Sequence, residues 1–238
     1  MIKLNNFSIG FSNPLLLSDI STTFSDGSLT ALIGRNGTGK STLMKALCGL
    51  NPNYSGEIFL DGMNLRDVSR PMLAKKIAFV NTQRPRLANL KCKDVVALGR
   101  SPYTAWHGKL SSEDSHAVRK ALEIVGMVAY AQRDFNSLSD GECQKIMIAR
   151  AIAQDTPYIL LDEPTSFLDL PTRHELATLL KSLTQTGKTI IFSTHELDIA
   201  LKFSDYIALI DSSELINLPT SEMHSHLQTH THPFSLFL

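Results

Sequence analysis

The sequence predicts an α/β fold: a mostly parallel sheet, an N-terminal antiparallel β-subdomain before it, and a helical subdomain inserted within it. Three observations predict this. Apolar strand-like runs alternate with helical runs through the second half of the chain, the pattern of a parallel sheet. Residues 2–33 read instead as short strands set off by turn residues. The stretch from about 84 to 155 has no strand signal and reads as helices inserted in the core.

In chain order, IKLNNFSI (2–9), ISTTF (20–24) and SLTALI (28–33) read as strands. A helix is expected from about Lys40 to Gly49, then the strand EIFLD between Gly56 and Gly62, and the strand KIAFV (76–80). From Gln83 to Leu110 the texture turns basic and irregular, with Pro85 and Pro102. Residues 111–127 read as a helix, because Ala117, Val118, Ala121, Leu122 and Val125 fall at helical spacing and acids cluster in its first turn. LSDGECQ (138–144) opens another helix that runs to about Gln154, and Ser139 followed three residues later by Glu142 is a capping box. The buried strand YILLD (158–162), a helix after Pro171, the strand KTIIFS (188–193), a helix from about Glu196 and the strand YIALI (206–210) complete the alternation. From about 212 to 238 a polar, solvated tail is expected. It holds His224, His226, His230 and His232, whose two His-x-His pairs are the type of spacing that can bind a transition metal.

At 238 residues, 43% hydrophobic and 19% charged, the chain is long enough for one sizeable domain, 1–238, or two small lobes. The 23 basic and 23 acidic residues balance, which disfavours nucleic acid, a partner that usually demands a basic excess. Cys48, Cys92 and Cys143 are too few and too scattered for a disulfide framework or a zinc cluster, and fit a reducing compartment. MIKLNNFSIGF lacks the basic-then-apolar layout of a signal peptide. No apolar run approaches the roughly 18 residues of a membrane helix, so a membrane role would need a separate partner.

The strongest motif is GRNGTGKST, formed by Gly34, Arg35, Asn36, Gly37, Thr38, Gly39, Lys40, Ser41 and Thr42. It fits G-x-x-x-x-G-K-[ST] and sits between an apolar strand and a helix, the setting of a phosphate loop and of a P-loop NTPase core. Average residue usage makes a chance match in such a chain an event on the order of 1%. Gly37 and Gly39 let backbone N–H groups converge on phosphate oxygens, and the helix N-terminus adds partial positive charge. Lys40 can reach the β- and γ-phosphates, and the Ser41 hydroxyl can ligate Mg²⁺. In YILLDEP (158–164), Asp162 ends a strand beside that loop and can hold Mg²⁺ directly or through water. Glu163 follows as a candidate general base for water. An acidic pair at a strand end can be plain turn chemistry; the phosphate loop favours the functional reading. His195, in STHE, and Gln83, after KIAFV, lie at strand ends where ligands gather in α/β sheets, although a lone residue there is more often structural.

Together these residues resemble the ATP-binding cassette family, over nearly the whole chain to about Asp211. The phosphate loop, Gln83, LSDGE, ILLDEP, SFLD (166–169) and STH come in the family's order. Phe11, in GF, matches the aromatic that stacks on adenine, where Tyr is usual; a core residue of an N-terminal strand is the other reading. The resemblance implies that LSDGE is the signature motif, normally Leu-Ser-Gly-Gly-Gln. Its helix start would face the γ-phosphate of ATP held by a second cassette, so that two head-to-tail copies sandwich two ATP molecules. Ser139 and the Gly141 amide would be donors; Asp140 replaces the first glycine of the pattern and Glu142 the glutamine. It also implies that Ser41, Gln83 and Asp162 surround Mg²⁺, that Glu163 polarises water, that His195 contacts the γ-phosphate and that Asp169 couples the two cassettes.

LGRSPY (98–103) looks like the permease-contacting stretch of ATPase subunits that serve importers of ferric siderophores, haem and cobalamin, with an ordinary surface turn as the plain alternative. No glycine follows Gly187, a departure from the family's C-terminal pattern. The resemblance thus implies an ATP-hydrolysing importer subunit, peripheral on the cytoplasmic face of the membrane. It would work as a homodimer on separate transmembrane permease subunits and indirectly with a substrate-binding protein. Two rivals stand beside it. A soluble cassette ATPase acting on nucleic acid or ribosomes usually carries a coiled-coil insertion or paired cassettes, and this chain shows neither. A non-hydrolysing nucleotide-binding scaffold sits poorly with intact Lys40, Asp162, Glu163 and His195.

Overall fold

A computed structural model describes residues 1–10, 15–82, 85, 89–104, 109–166 and 168–229. The strands are β1 (Ile2–Ile9), β2 (Leu17–Phe24), β3 (Leu29–Ile33), β4 (Tyr54–Leu60), β5 (Met63–Asn64), β6 (Ile77–Val80), β7 (Tyr158–Leu161), β8 (Thr189–Thr194), β9 (Tyr206–Asp211) and β10 (Glu214–Pro219). The helices are α1 (Lys40–Leu47), α2 (Arg70–Ala74), α3 (Cys92–Ala97), α4 (Ser112–Ile124), α5 (Asp140–Ala153), α6 (Leu170–Thr184), α7 (Leu197–Phe203) and α8 (Thr220–Thr229).

The N-terminal strands form an antiparallel sheet in the order β2-β1-β4-β5. β1 buries Ile2, Leu4, Phe7 and Ile9, and the step from 4 to 7 breaks strict alternation. Asn6 absorbs the extra residue at φ 46°, where the register shifts. Gly56 faces this irregularity on β4, and a Cβ there would lie 2.2 Å from the Asn6 carbonyl oxygen. Only glycine allows that approach.

The larger sheet runs β10-β9-β3-β8-β7-β6, parallel throughout except for the β10–β9 hairpin. Its central strands β3, β7 and β8 are buried at every position because both faces are covered. Period-2 alternation sends Ala31, Ile33, Ile159, Leu161, Ile190 and Phe192 into one core. Leu32, Leu160, Ile191 and Ala208 go into the other, with α1 and the antiparallel sheet. The first core continues into the inserted helical lobe through α3, α4 and α5 around Phe135. Gly99 lets the 98–100 turn press on α5, since a Cβ there would lie 2.2 Å from the Arg150 carbonyl oxygen. Arg100 pins the contact, with Nε 2.8 Å from Asp114 Oδ1 and a terminal nitrogen 2.9 Å from the Ala153 carbonyl.

The expected polar tail from 212 is corrected. Residues 214–219 pair with β9 along six positions, and α8 buries Met223 and Leu227 in the first core. Two apolar residues at i, i+4 suffice to anchor a helix whose other described residues are Ser, Thr, His, Glu and Gln. His230 and His232, the second of the two His-x-His pairs, lie outside the described residues. β4 starts earlier than EIFLD, at Tyr54, and α1 ends at Leu47. The short elements β5, α2 and α3 have no counterpart in the sequence reading.

Candidate functional site

Parallel pairing brings the C-terminal ends of β3, β8, β7 and β6 to one edge of the sheet. Gly34 follows β3, Asp162 and Glu163 follow β7, His195 follows β8, and Thr82 stands two residues past the end of β6. This is where open α/β sheets gather ligands. A cleft of about 500 Å³ opens there, lined by Leu16, Asn36, Gly37, Lys40, Ser41 and Glu163 among others.

The loop has the backbone that its glycines permit. Gly37 has φ 85° and Gly39 φ 103°, left-handed values that would strain an L side chain. Gly34 needs its bareness for space, because a Cβ there would lie 2.6 Å from Thr38 Oγ1. Gly39 is the N-cap of α1, so the loop leads directly into a helix start with its unpaired N–H groups and partial positive charge. Lys40 is only 5% exposed. Its ammonium donates to the Gly34 carbonyl at 2.7 Å and the Arg35 carbonyl at 3.2 Å, so it lies folded across its own loop. Burial pulls its pKa below the usual lysine value, and the carboxylates of Glu163 and Asp162 oppose that pull.

Asp162 is buried at the centre of a hydroxyl cluster. Its Oδ1 accepts from Ser41 Oγ at 3.0 Å and from Ser193 Oγ at 2.7 Å, and its carbonyl accepts from Thr82 Oγ1 at 2.9 Å. Ser41 and Asp162 present hard oxygen donors at adjacent positions, the donor chemistry that Mg²⁺ takes, so the residues fit that ion. Glu163 Oε1 lies 4.0 Å from Lys40 Nζ, and Oε2 accepts from Ser166 Oγ at 3.0 Å. The Glu163 N–H donates to Ser193 Oγ at 2.8 Å. Glu163 sits at φ 47°, a left-handed conformation that is uncommon for a residue with a side chain. His195 is exposed in the turn after β8.

The signature-like helix start does not line this cleft. Ser139 caps α5 through its box with Glu142: Ser139 N–H and Oγ both donate to Glu142 Oε2, at 2.8 and 2.9 Å. The Ser139 donors and the Tyr130 hydroxyl together hold the Glu142 carboxyl below its ordinary pKa. Asp140 is exposed. Gly141 lies instead beside the start of α6, where an added Cβ would be 3.5 Å from Leu168 Cδ2 and 3.8 Å from Thr172 Cγ2. Asp169, the N-cap of α6, accepts from the Thr172 N–H at 3.0 Å and is exposed. The Thr172 bonds hold its carboxyl below the usual range. Ser139, Gly141 and Asp169 therefore belong to one surface region, apart from the phosphate loop of their own chain.

Phe11 and Gln83 lie outside the described residues. In LGRSPY, Arg100 faces inward to Asp114 while Leu98 and Tyr103 are exposed. Ser193, Thr82 and Leu16 escape the sequence reading, and Ser166 enters it only as the first residue of SFLD. Ser193 stands inside the STH run, but a serine at a strand end carries no mark in the sequence of a buried bridge between two carboxylate-bearing residues.

Among known proteins, the family model described as ABC transporter matches residues 17–166. The iron(3+)-hydroxamate import ATP-binding protein of Bacillus subtilis is 33% identical over 92% of this chain and 82% of its own length. A transporter described as of metal-chelate type, solved in an inward-facing conformation, has a chain that superposes with TM-score 0.84 at 28% identity. The match covers 97% of this chain and 88% of that one. A dimeric ATP-binding cassette in a post-hydrolysis state, bound to ADP and phosphate, superposes with TM-score 0.81 at 27% identity, over 92% of this chain and 99% of that one.

Proposed function

The chain belongs to the ABC transporter family as an ATP-hydrolysing cassette, and from this we propose that it drives import of a metal chelate such as a ferric siderophore, haem or cobalamin. The observation that carries the hydrolytic part is the meeting of Lys40, Ser41, Asp162 and Glu163 in one cleft, 4.0 Å between Lys40 Nζ and Glu163 Oε1 and 3.0 Å between Ser41 Oγ and Asp162 Oδ1. The cargo class rests on the hydroxamate-import relative and the metal-chelate-type neighbour.

The residues divide the work by their chemistry. The loop amides and Lys40 bind the phosphates, with Lys40 exchanging its own loop carbonyls for phosphate oxygens. Ser41, Asp162 and Gln83 would hold Mg²⁺, which would supply charge neutralisation for the phosphates. Glu163 orients water and takes its proton as the water oxygen bonds to the γ-phosphorus and the bond from that phosphorus to the β–γ bridging oxygen breaks, leaving ADP and phosphate. His195 contacts the γ-phosphate, and Phe11 stacks on the adenine. Ser139 and Gly141 of one chain meet the γ-phosphate held by the other in a homodimer, and Asp169 beside them couples the two sites. The solved dimer that this chain superposes on supports the pairing.

No helix among the described residues is long and apolar enough to cross a membrane. In this reading the chain docks on the cytoplasmic face, through separate permease subunits and indirectly through a substrate-binding protein. A cleft of about 370 Å³ lined by Leu50, Arg70, Leu73, Phe79 and Gln154, with Leu50 63% exposed, is the face suited to the permease. Tyr103 continues that face, lying over Arg100 at 4.0 Å and near Lys75 at 5.4 Å. The test is uptake of a ferric siderophore by cells lacking the chain. Uptake should return with the wild-type chain and not with Glu163→Gln. Normal ferric-chelate uptake without the chain would overturn the cargo class, and rescue by Glu163→Gln would overturn the hydrolytic role.

A further inference from the structure

Arg173 stands one turn into α6, its N–H donating to the Asp169 carbonyl at 3.0 Å. Its side chain turns back toward the helix start. Nε donates to the Leu168 carbonyl at 2.7 Å, and a terminal guanidinium nitrogen lies 2.6 Å from Glu196 Oε1. Glu196 directly follows His195, and its side chain is 9% exposed. Its other oxygen, Oε2, is buried with no hydrogen-bond partner among the described residues. A carboxylate so far from water depends on its cation to stay where it is, and without Arg173 it would be drawn outward to solvent.

The fork thus joins two loops that leave the sheet from different strands, 162–169 after β7 and 195–196 after β8. Nearer the cleft the first loop is tied a second time, to the end of β8 two residues before His195, and is braced within itself. The Glu163 N–H donates to Ser193 Oγ at 2.8 Å, and Ser166 Oγ donates to Glu163 Oε2 at 3.0 Å. Two joints make a frame, with Glu163 and Asp169 on one side and His195 on the other. One joint alone would leave a pivot at Ser193.

We infer that Arg173 is a positioning residue for ATP hydrolysis, its fork between Leu168 and Glu196 holding the loop of Glu163 and Asp169 in fixed register with the loop of His195. The inference rests on the hydrolytic reading above. The arm that meets the partner chain and the arm that meets the γ-phosphate then move as one body. Guanidinium geometry is what the task needs, because its planar donors serve a carbonyl and a carboxylate at once; a lysine ammonium is a point charge on a flexible stem.

The test compares the full chain with Arg173→Ala, Arg173→Lys, Glu196→Gln and the double variant Arg173→Ala/Glu196→Gln in steady-state hydrolysis of Mg·ATP. In Arg173→Ala, kcat should fall on the order of tenfold or more, the scale set by small misplacements of reacting groups, while KM for ATP stays within about twofold. Arg173→Lys should fall between wild type and Arg173→Ala. The double variant should be no slower than the slower single one, since both remove the same contact. A kcat in Arg173→Ala within about twofold of wild type, or losses that multiply in the double variant, would overturn the inference. Should Arg173→Ala fail to fold, Arg173→Lys and Glu196→Gln are judged by the same split between kcat and KM. Amide hydrogen exchange gives a readout independent of turnover: in Arg173→Lys it should rise together at 165–169 and 194–197, and a rise on one side only would also overturn the inference. Failure of the hydrolytic reading looks different, with wild type and Glu163→Gln releasing phosphate at the same rate.

Discussion

The Lys40 ammonium stands 4.0 Å from the Glu163 carboxylate, while donating to the Gly34 and Arg35 carbonyls of its own loop. The two residues share a cleft but differ in what they can be asked to do. Lys40 is tied to the loop that meets phosphate, and Glu163 is tied to the Ser166 hydroxyl through Oε2, with Oε1 turned to the cleft on the side of Lys40. Glu163→Gln should therefore leave ATP binding near wild type and cut turnover by roughly 10²–10⁴-fold, the usual worth of a general base. With ATP it should also accumulate as a dimer on size-exclusion chromatography, and with ADP it should not. Lys40→Ala should instead weaken nucleotide binding itself, measured by calorimetry. Near-normal turnover in Glu163→Gln would remove it from the role of base.

Ser193 spends its one hydroxyl proton on Asp162 and its lone pair on the Glu163 N–H. Ser193→Ala leaves the N–H of Glu163 unpaired in the protein and removes a donor from a buried carboxylate. A loss of about 1–3 kcal/mol is expected from such an orphaned group. Urea denaturation should show it, together with slower hydrolysis. Unchanged stability and turnover would show that solvent replaces the hydroxyl without loss.

Gly141 has room within its own chain, with the nearest atoms to an added methyl at 3.5 and 3.8 Å. Gly141→Ala should leave the melting temperature unchanged or raised, since alanine is the better helix former by up to about 1 kcal/mol. Any loss of ATP-driven pairing then reports on the partner's phosphate and not on the fold. Gly141→Asp should abolish pairing, because like charges about 4 Å apart repel by something on the order of 4 kcal/mol at an effective dielectric near 20. Asp140→Gly should be tolerated, with hydrolysis unchanged or modestly raised. All three are compared for trapped dimer in the Glu163→Gln background. The assignment of the two positions is reversed if Asp140→Gly destroys pairing and Gly141→Asp spares it.

Asp114 receives the Ser111 N–H at 3.0 Å and Arg100 Nε at 2.8 Å, and these bonds hold its carboxyl below the ordinary aspartate range. A carboxyl whose pKa is lower folded than unfolded adds stability that is present above the unfolded value, about 3.9, and is lost as pH falls through the folded one. Asp114→Asn should thus be less stable than wild type at pH 7. The difference should shrink as pH drops below about 4. Chemical denaturation at pH 7 and pH 3 measures both, and a difference that persists undiminished at pH 3 would assign the effect to packing.

The legible parts of the site were those written in neighbouring residues. GRNGTGKST carries its own strand and helix context, and Asp162 and Glu163 end an apolar run at a predictable sheet edge. The capping box of Ser139 and Glu142 is likewise local and is present in the structure. What stayed hidden depends on tertiary contact. Ser193 acts across 31 residues on Asp162, and Arg173 acts on Glu196 through a turn that sequence spacing does not reveal. The folded segment 214–229 leaves little trace in the sequence because Met223 and Leu227 are its only fully buried apolar side chains among the described residues, and its strand ELINLP is half-covered throughout most of its length. α2 and α3, with five and six residues, are too short to show a helical period.

Glu163 keeps a left-handed backbone, φ 47°, where glycine would rest without strain. The residue that suits the chain geometry at this point has no carboxylate, and the residue that suits the chemistry fits the geometry badly. Selection for heat resistance alone, with hydrolysis unmonitored, would therefore be expected to drift at position 163 toward Gly or Asn. A sturdier, inactive protein would be the easiest outcome of such an experiment. Screens for hardier variants of this chain need turnover as a second criterion, because here the two goals pull one position in opposite directions.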